Sequence, residues 1–388
     1  MIIETLRLRD FRNYESLEIS PDPEMNLIFG PNGSGKTNLL EAVLYCAIGK
    51  SHRLTSDRDA VRRGAAWGAC GVTVAGPGGA RTEIALRIQA GEGERLKKTV
   101  FIGKKRASRM ADLMGRVRCV IFSPEDLEIV RGGPVHRRRY MDTLLCQLDP
   151  VYFGALSRYN RALEARNALL RAPVPDDEQT ASYEGLMAGA AAAVIARREK
   201  AMREVSRIAE EKCAAIGGRP DEVFTMAYVP CAAPDPEALA AMWRESRAGD
   251  RLRKTTSAGP HREDILLRLN GRDMRSYASQ GQVRTAALAM KLSQLRWIRD
   301  MTGDTPVLLL DDVMSELDMD RRGRLLEEIR GAQTLITCTD ESDVRDLRGR
   351  RTYRVSAEGG TARAEETRRG DTPSPAAPPA DDIDDELG

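Results

Sequence analysis

The sequence predicts an α/β nucleotide-binding fold, a parallel sheet covered by helices on both faces and interrupted by a helical insertion. Three observations predict it. Short apolar runs alternate with helical stretches near both ends of the chain, the pattern of a parallel sheet with helical crossovers. Residues 30–37 read Gly-Pro-Asn-Gly-Ser-Gly-Lys-Thr, the G-x-x-x-x-G-K-[ST] of a phosphate-binding loop. Between the two ends, residues 135–171 and 178–215 become rich in Ala, Leu, Arg and Glu, which are good helix formers.

Taken in order, residues 1–20 alternate apolar and polar positions and suggest a hairpin. Met25 to Phe29 is a short apolar strand. The loop follows, then a helix from Asn38 to Gly49 with Leu39, Leu40, Val43, Leu44 and Ala47 on one face. Residues 70–104 carry three apolar stretches broken by Gly-Pro-Gly-Gly and Gly-Glu-Gly, an antiparallel meander. Cys119 to Phe122 is another strand. The helical insertion goes out along 135–171, turns at Ala172-Pro173-Val174-Pro175, and returns along 178–215. Residues 222–229 read as a strand and 237–248 as a helix. Strand texture resumes at Ile265 to Leu269 before an Asn270-Gly271 turn. A helix at 283–301, a strand at Val307 to Leu310, a helix at 319–330 and a strand at Thr334 to Thr337 complete the pattern. From Asp371 the chain is Pro-rich, then acidic, and is expected to be disordered.

Bulk properties bound the function. A chain of 388 residues allows two or three domain-sized units. Net charge is +2 with 30% charged residues, so any nucleic-acid site is a local patch. Seven scattered cysteines without C-x-x-C argue against a zinc site and a disulfide scaffold. No signal-like N-terminus and no apolar run near 18 residues is visible, so a cytoplasmic chain with no membrane partner is expected.

The motifs carry chemistry. Gly30, Gly33 and Gly35 let the backbone amides of the loop turn inward around an anion. Lys36 is placed for the β- and γ-phosphates and Thr37 for Mg²⁺. The run Val307-Leu308-Leu309-Leu310 ends in Asp311 and Asp312. In a nucleotide-binding sheet, the acid ending a strand beside the phosphate-loop strand holds Mg²⁺; Asp311 fits that position. Asp312 is placed to orient or deprotonate an attacking water. The competing reading makes either residue a helix cap. Ser279-Gln280-Gly281-Gln282, just ahead of the helix at 283, is either a second anion cradle or a plain capping loop.

Phosphate loop, polar tetrapeptide, acidic strand and the turn Ser315-Glu316-Leu317-Asp318 occur in the order of an ABC-type ATPase head. The closer resemblance is to the SMC/Rad50-like branch, and within it to the RecF family of bacterial recombination and gap-repair proteins. It is carried by Leu8 to Tyr14, Phe29 to Ala42, Phe122 to Leu127, Gly132-Gly133-Pro134, Arg137 to Asp142, Gly259 to Asp264, Ser279 to Gln282 and Leu309 to Asp318. It spans roughly residues 1–355. The resemblance implies an ABC-type P-loop ATPase head, a mixed sheet with helices. Lobe I would comprise 1–125 and 255–370, a mainly helical lobe II 126–254, and the tail 371–388.

The resemblance further implies ATP and Mg²⁺ as cofactors. Gly30, Pro31, Asn32, Gly33, Ser34, Gly35, Lys36 and Thr37 would bind the nucleotide. Ser279, Gly281 and Gln282 would meet the ATP of a second copy. Thr37 and Asp311 would hold the metal, with Lys36 and Asp312 catalytic. Such proteins form homodimers with ATP, close on gapped DNA or a duplex/single-strand junction, release it after slow hydrolysis, and help RecO and RecR place RecA. Three departures point to slow turnover. The catalytic position is Asp312 where many relatives have Glu. No His follows the strand at 334–337, leaving Thr337 or Thr339 to stand in, and no Gln ends the strand at 119–122. The alternatives are a transporter-type ATPase subunit and a non-hydrolysing nucleotide-dependent scaffold.

Other residues keep two readings. Arg12 either reaches the nucleotide or packs at a strand edge. His261 with Arg262 either works near DNA or nucleotide or makes local hydrogen bonds. Arg137-Arg138-Arg139 either contacts phosphates or lies on a solvated helix face.

Overall fold

The computed structural model describes residues 1–368 except 52, 54–55, 91–95, 218–220 and 341–349. The acidic tail expected from 371 lies outside the described residues. The chain opens with β1 (Ile2–Phe11), β2 (Tyr14–Ile19), β3 (Met25–Phe29) and α1 (Lys36–Ile48). Then come β4 (Trp67–Ala75), β5 (Arg81–Ala90), β6 (Leu96–Ile102), β7 (Lys105–Arg106) and β8 (Cys119–Phe122). The middle holds α2 (Glu128–Arg131), α3 (Pro134–Leu148), α4 (Pro150–Arg171), α5 (Asp177–Gly217), β9 (Phe224–Val229) and α6 (Pro236–Arg253). It continues through β10 (Asp264–Leu269), β11 (Arg272–Asp273), α7 (Met274–Tyr277) and α8 (Gln280–Thr302). The last elements are β12 (Val307–Asp311), α9 (Met319–Glu328), β13 (Thr334–Cys338), β14 (Arg350–Glu358) and β15 (Thr361–Arg368).

The chain forms two compact units, Met1–Glu125 with the chain from Gln294 onward, and Asp126–Ser293. The second boundary therefore falls at Ser293/Gln294, not at the expected 254/255. The reason is strand pairing. β10 runs antiparallel to β9 from Asp264↔Val229 to Leu269↔Phe224, and with β11 they form a separate three-stranded sheet.

The first unit is built on one twelve-stranded sheet, ordered β7-β6-β5-β4-β1-β2-β15-β14-β3-β13-β12-β8. Among the described residues, β14, β3, β13, β12 and β8 form a parallel block, and β15 meets β2 in parallel at Ala362↔Tyr14. This corrects the expectation of a simply parallel sheet; the mixed sheet implied by the resemblance is the one formed. β8, β12 and β13 are buried along their whole length, which is why they read as unbroken apolar runs. The antiparallel half has alternating strands, such as β5 with buried Ile84, Leu86 and Ile88. α1 buries both of its faces rather than one. The hairpin β14–β15, turned by Gly359 and Gly360 at positive φ, inserts between β3 and β2 and was not anticipated.

In the second unit, the first helical run is two helices. Asp149 ends α3 and caps α4, its side chain accepting from the Val151 and Tyr152 amides. Pro150 opens α4, where a missing N–H costs nothing. α5, with 41 residues, spans about 60 Å. Its alanines Ala188, Ala190, Ala191 and Ala192 pack with Tyr159, Met187, Leu239 and Trp243 in one cluster. Against this core lies a buried ion cluster. Arg166 donates to Glu184 and Asp250 at 2.9 and 2.8 Å, and to Thr256 Oγ1 at 2.8 Å.

Candidate nucleotide site

The loop after β3 is shaped by its glycines. A Cβ on Gly30 would lie 2.0 Å from the Val355 carbonyl oxygen of β14, so only glycine fits. Gly35 stands at φ 116, where a Cβ would meet the Asn13 side chain at 2.8 Å. Gly33, at φ 79, has open space where a Cβ would be. α1 begins at Lys36 with no acidic residue in its first turn. Its first amides have no partner within the helix, and its dipole favours an anion at this end. The loop is braced from β1 and β2. Asn13 Nδ2 donates to Ser34 O at 3.1 Å, Asn38 Nδ2 donates to Asn13 Oδ1 at 2.8 Å, and the Tyr14 hydroxyl donates to Gly35 O at 3.2 Å.

Two features suit an anionic ligand in this loop. Lys36 is buried, and its ammonium donates to the Gly30 and Pro31 carbonyls at 2.8 and 3.1 Å. Those bonds hold the cation over the loop. Among the described residues the buried Ser34 hydroxyl has no hydrogen-bond partner, a cost that a phosphate oxygen would remove.

The acidic strand meets the loop. The Thr37 hydroxyl donates to Asp311 Oδ1 at 2.8 Å. The same carboxylate accepts from the Thr337 hydroxyl at 2.7 Å. Asp311 is 3% exposed, and burial raises its pKa against the opposing pull of the Thr337 and Thr37 bonds. A carboxylate in that state gains from a bound cation, so Thr37 and Asp311 form a donor pair suited to Mg²⁺. Asp312 is half-buried, with φ 53. Its amide donates to Thr337 Oγ1 at 3.0 Å and its carbonyl accepts from Ser315 Oγ at 2.9 Å. Neither Asp311 nor Asp312 caps a helix; that work falls to Asp318, which caps α9.

Ser279-Gln280-Gly281-Gln282 is not a loop ahead of the helix. α8 begins at Gln280, and Ser279 and Gln282 cap it reciprocally. The Ser279 amide donates to Gln282 Oε1 at 2.8 Å and the Gln282 amide to Ser279 Oγ at 3.3 Å. Gln282 Nε2 also donates to Glu222 at 2.8 Å. This turn belongs to the second unit, whereas the loop and β12 belong to the first.

Arg12, at φ 57, pairs with the buried Glu41 at 3.1 Å and donates to the Asp59 carbonyl at 2.7 Å. It lines a cavity of about 770 Å³ with Arg58, Arg62 and Arg63. His261 makes local bonds. Its Nε2 lies 3.1 Å from the Thr256 carbonyl and its Nδ1 2.6 Å from the Tyr159 hydroxyl. A carbonyl only accepts, so Nε2 carries the proton and Tyr159 donates to Nδ1. Arg137 is buried and donates to both oxygens of Asp264 at 2.6 and 3.0 Å. Arg138 donates to the Glu263 carbonyl at 2.8 Å. Arg137, buried on Asp264, is therefore on no solvated helix face. Sequence reasoning gave no role to Asn13, Tyr14 or Glu41; the place of Glu41 on the helix after the loop was the available signal.

These residues occur in a known pattern. The family model described as RecF/RecN/SMC N terminal domain matches residues 2–363. The DNA replication and repair protein RecF of Symbiobacterium thermophilum is 39% identical over 354 residues, covering 89% of this chain and 93% of that protein. The chain belongs to the RecF family. A second RecF, from Agathobacter rectalis, is 39% identical over 345 residues, covering 87% of this chain and 92% of its own. The solved structure of the recombination mediator protein RecF-ATP in the RecFOR pathway superposes with a TM-score of 0.84 at 29% identity, covering 94% of this chain and 97% of that one. The Smc head domain derived from Pyrococcus furiosus, at a TM-score of 0.54 and 16% identity, shares the fold. The RecF-family chain thus has the ABC-type ATPase head, with its helical middle inserted between the two parts of the sheet unit.

Proposed function

We propose that this chain is a Mg²⁺-dependent ATPase that binds DNA in an ATP-gated manner, in recombinational repair of gaps and replication restart. The observation that carries this reading is the Thr37–Asp311 hydrogen bond at 2.8 Å. It joins the phosphate loop to the end of an acidic strand 274 residues away in sequence, where a metal-bound nucleotide needs both. The relatives named RecF, and the structure of one with ATP, support the same reading.

In this mechanism the loop amides from Asn32 to Thr37 and the Lys36 ammonium hold the phosphates and neutralise charge as it shifts to the leaving oxygen. Thr37 and Asp311 would hold Mg²⁺, which would supply Lewis-acid stabilisation of the phosphoryl oxygens. Asp312 orients the attacking water and accepts its proton. Its carboxylate arm is shorter than that of Glu, which suits a slow switch. Arg12, paired with Glu41 of α1, would offer a donor to the rest of the nucleotide. Ser279, Gly281 and Gln282 would complete the site of a second copy. Two copies would close head-to-head on gapped DNA or a duplex/single-strand junction and open after hydrolysis. With RecO- and RecR-like partners they would help place RecA.

The experiment is Asp312→Asn with Mg²⁺ and ATP. Turnover is expected to fall about 100-fold or more, while an ATP-bound dimer accumulates in light scattering. A variant with unchanged turnover and no trapped dimer would favour the non-hydrolysing scaffold. Wild-type hydrolysis indifferent to gapped DNA would favour a transporter-type subunit. Among the described residues, no helix is long and apolar enough to cross a membrane.

A further inference from the structure

Among the described residues, Thr337 is the single side chain that holds both acids at the end of β12. In the parallel register of β12 with β13 it stands opposite Asp311, and it is fully buried. Its hydroxyl lies 2.7 Å from Asp311 Oδ1 and 3.0 Å from the Asp312 amide nitrogen. A carboxylate accepts and an amide donates, so one hydroxyl gives its proton to the first and takes one from the second. Both capacities are committed. Asp312 needs the second bond, because φ 53 puts a non-glycine residue in the left-handed region.

We propose that Thr337 is a positioning residue that ties the two acids together, setting Asp311 for the metal and Asp312 for the water. The inference rests on the nucleotide reading given above. Two hydroxyls, those of Thr37 and Thr337, donate to the same Asp311 oxygen. Thr37 is itself a group read as holding the metal, so Thr337 is the partner that Asp311 keeps. Because the same hydroxyl anchors the Asp312 amide, a shift of one acid is felt by the other. Thr337 is then no contact of the terminal phosphate. The exposed Thr339, 3.5 Å from Asn32 Oδ1 of the loop, is the threonine that lies beside the loop.

The test uses Thr337→Val, which keeps the shape and removes the hydroxyl, and Thr337→Ser, which keeps the hydroxyl. The readout is the Mg²⁺ concentration at half-maximal thermal stabilisation by ATP, together with turnover. Thr337→Val should raise that midpoint about 10-fold and lower turnover by at least about 10-fold. Its ATP binding without metal should stay unchanged, and Thr337→Ser should restore both quantities. Wild-type values in Thr337→Val would overturn the proposal. Should the buried valine disturb the strand, amide exchange on the wild-type chain decides. The Asp312 amide should be protected with and without Mg²⁺ and ATP; fast exchange would overturn the tie. A wild type without any metal-dependent response to ATP would count against the nucleotide reading, and amide exchange would still decide for or against Thr337.

Discussion

Asp311 is a carboxylate that burial disfavours, kept in place by hydroxyls from two different elements. Its identity was legible because an apolar run ending in acid, downstream of a phosphate loop, has few other uses. Thr337 was legible only as one of two threonines, with Thr339, that could stand in for a missing His. That its hydroxyl faces Asp311 depends on the register of β13 against β12, and no local pattern encodes a register between distant strands. His261 teaches the same lesson. Its neighbours in sequence, Gly259-Pro260 and Arg262, gave no sign that Tyr159 of α4 would donate to it. Burial lowers the His261 pKa, and the nearby Arg262 and Arg138 push the same way. A depressed folded value means that the unfolded chain takes the proton first. His261 therefore contributes stability that is intact above about pH 6.5, its unfolded value, and is lost as pH falls through the lower folded value. The melting temperature should fall from pH 7 to pH 5, and His261→Gln should flatten part of that slope. An unchanged slope in the variant would contradict the assignment.

Elements were read well where one residue type dominated. β3, β8, β12 and β13 were plain because buried parallel strands are continuously apolar. The break between α3 and α4 was missed although Asp149-Pro150 is a good stop-and-start signal; strong helix propensity on both sides masked it. β14 and β15 were missed because their pattern is polar and their turn, Gly359-Gly360, lies close to the Pro-rich tail. The helical unit also hides its main liability from sequence. Arg166, one arginine among many, is fully buried with Glu184 and Asp250. Arg166→Met would strip the buried Asp250 of its close cation and leave Glu184 with Arg247 alone. It should cost about 3–5 kcal/mol in urea denaturation. A loss below about 1 kcal/mol would mean that the cluster is hydrated or relaxes freely.

At the scale of the molecule, the order of motifs gave the ATPase head, and the comparisons place the chain in the RecF family. One domain boundary was misjudged because β10, a good strand by pattern, pairs with β9 rather than with the large sheet. Pairing partners are chosen by long-range packing, which a local reading cannot see. The proposed function makes one demand on the whole chain, namely that nucleotide at the loop governs affinity for DNA. The most direct measurement is fluorescence anisotropy of a labelled gapped duplex, titrated with the chain at one fixed salt concentration, with and without ATP and Mg²⁺. The account predicts binding at least about 10-fold tighter with ATP, a coupling of about 1.4 kcal/mol or more, and loss of that gain in Lys36→Arg. Equal affinity with and without ATP, or an undiminished gain in Lys36→Arg, would contradict it.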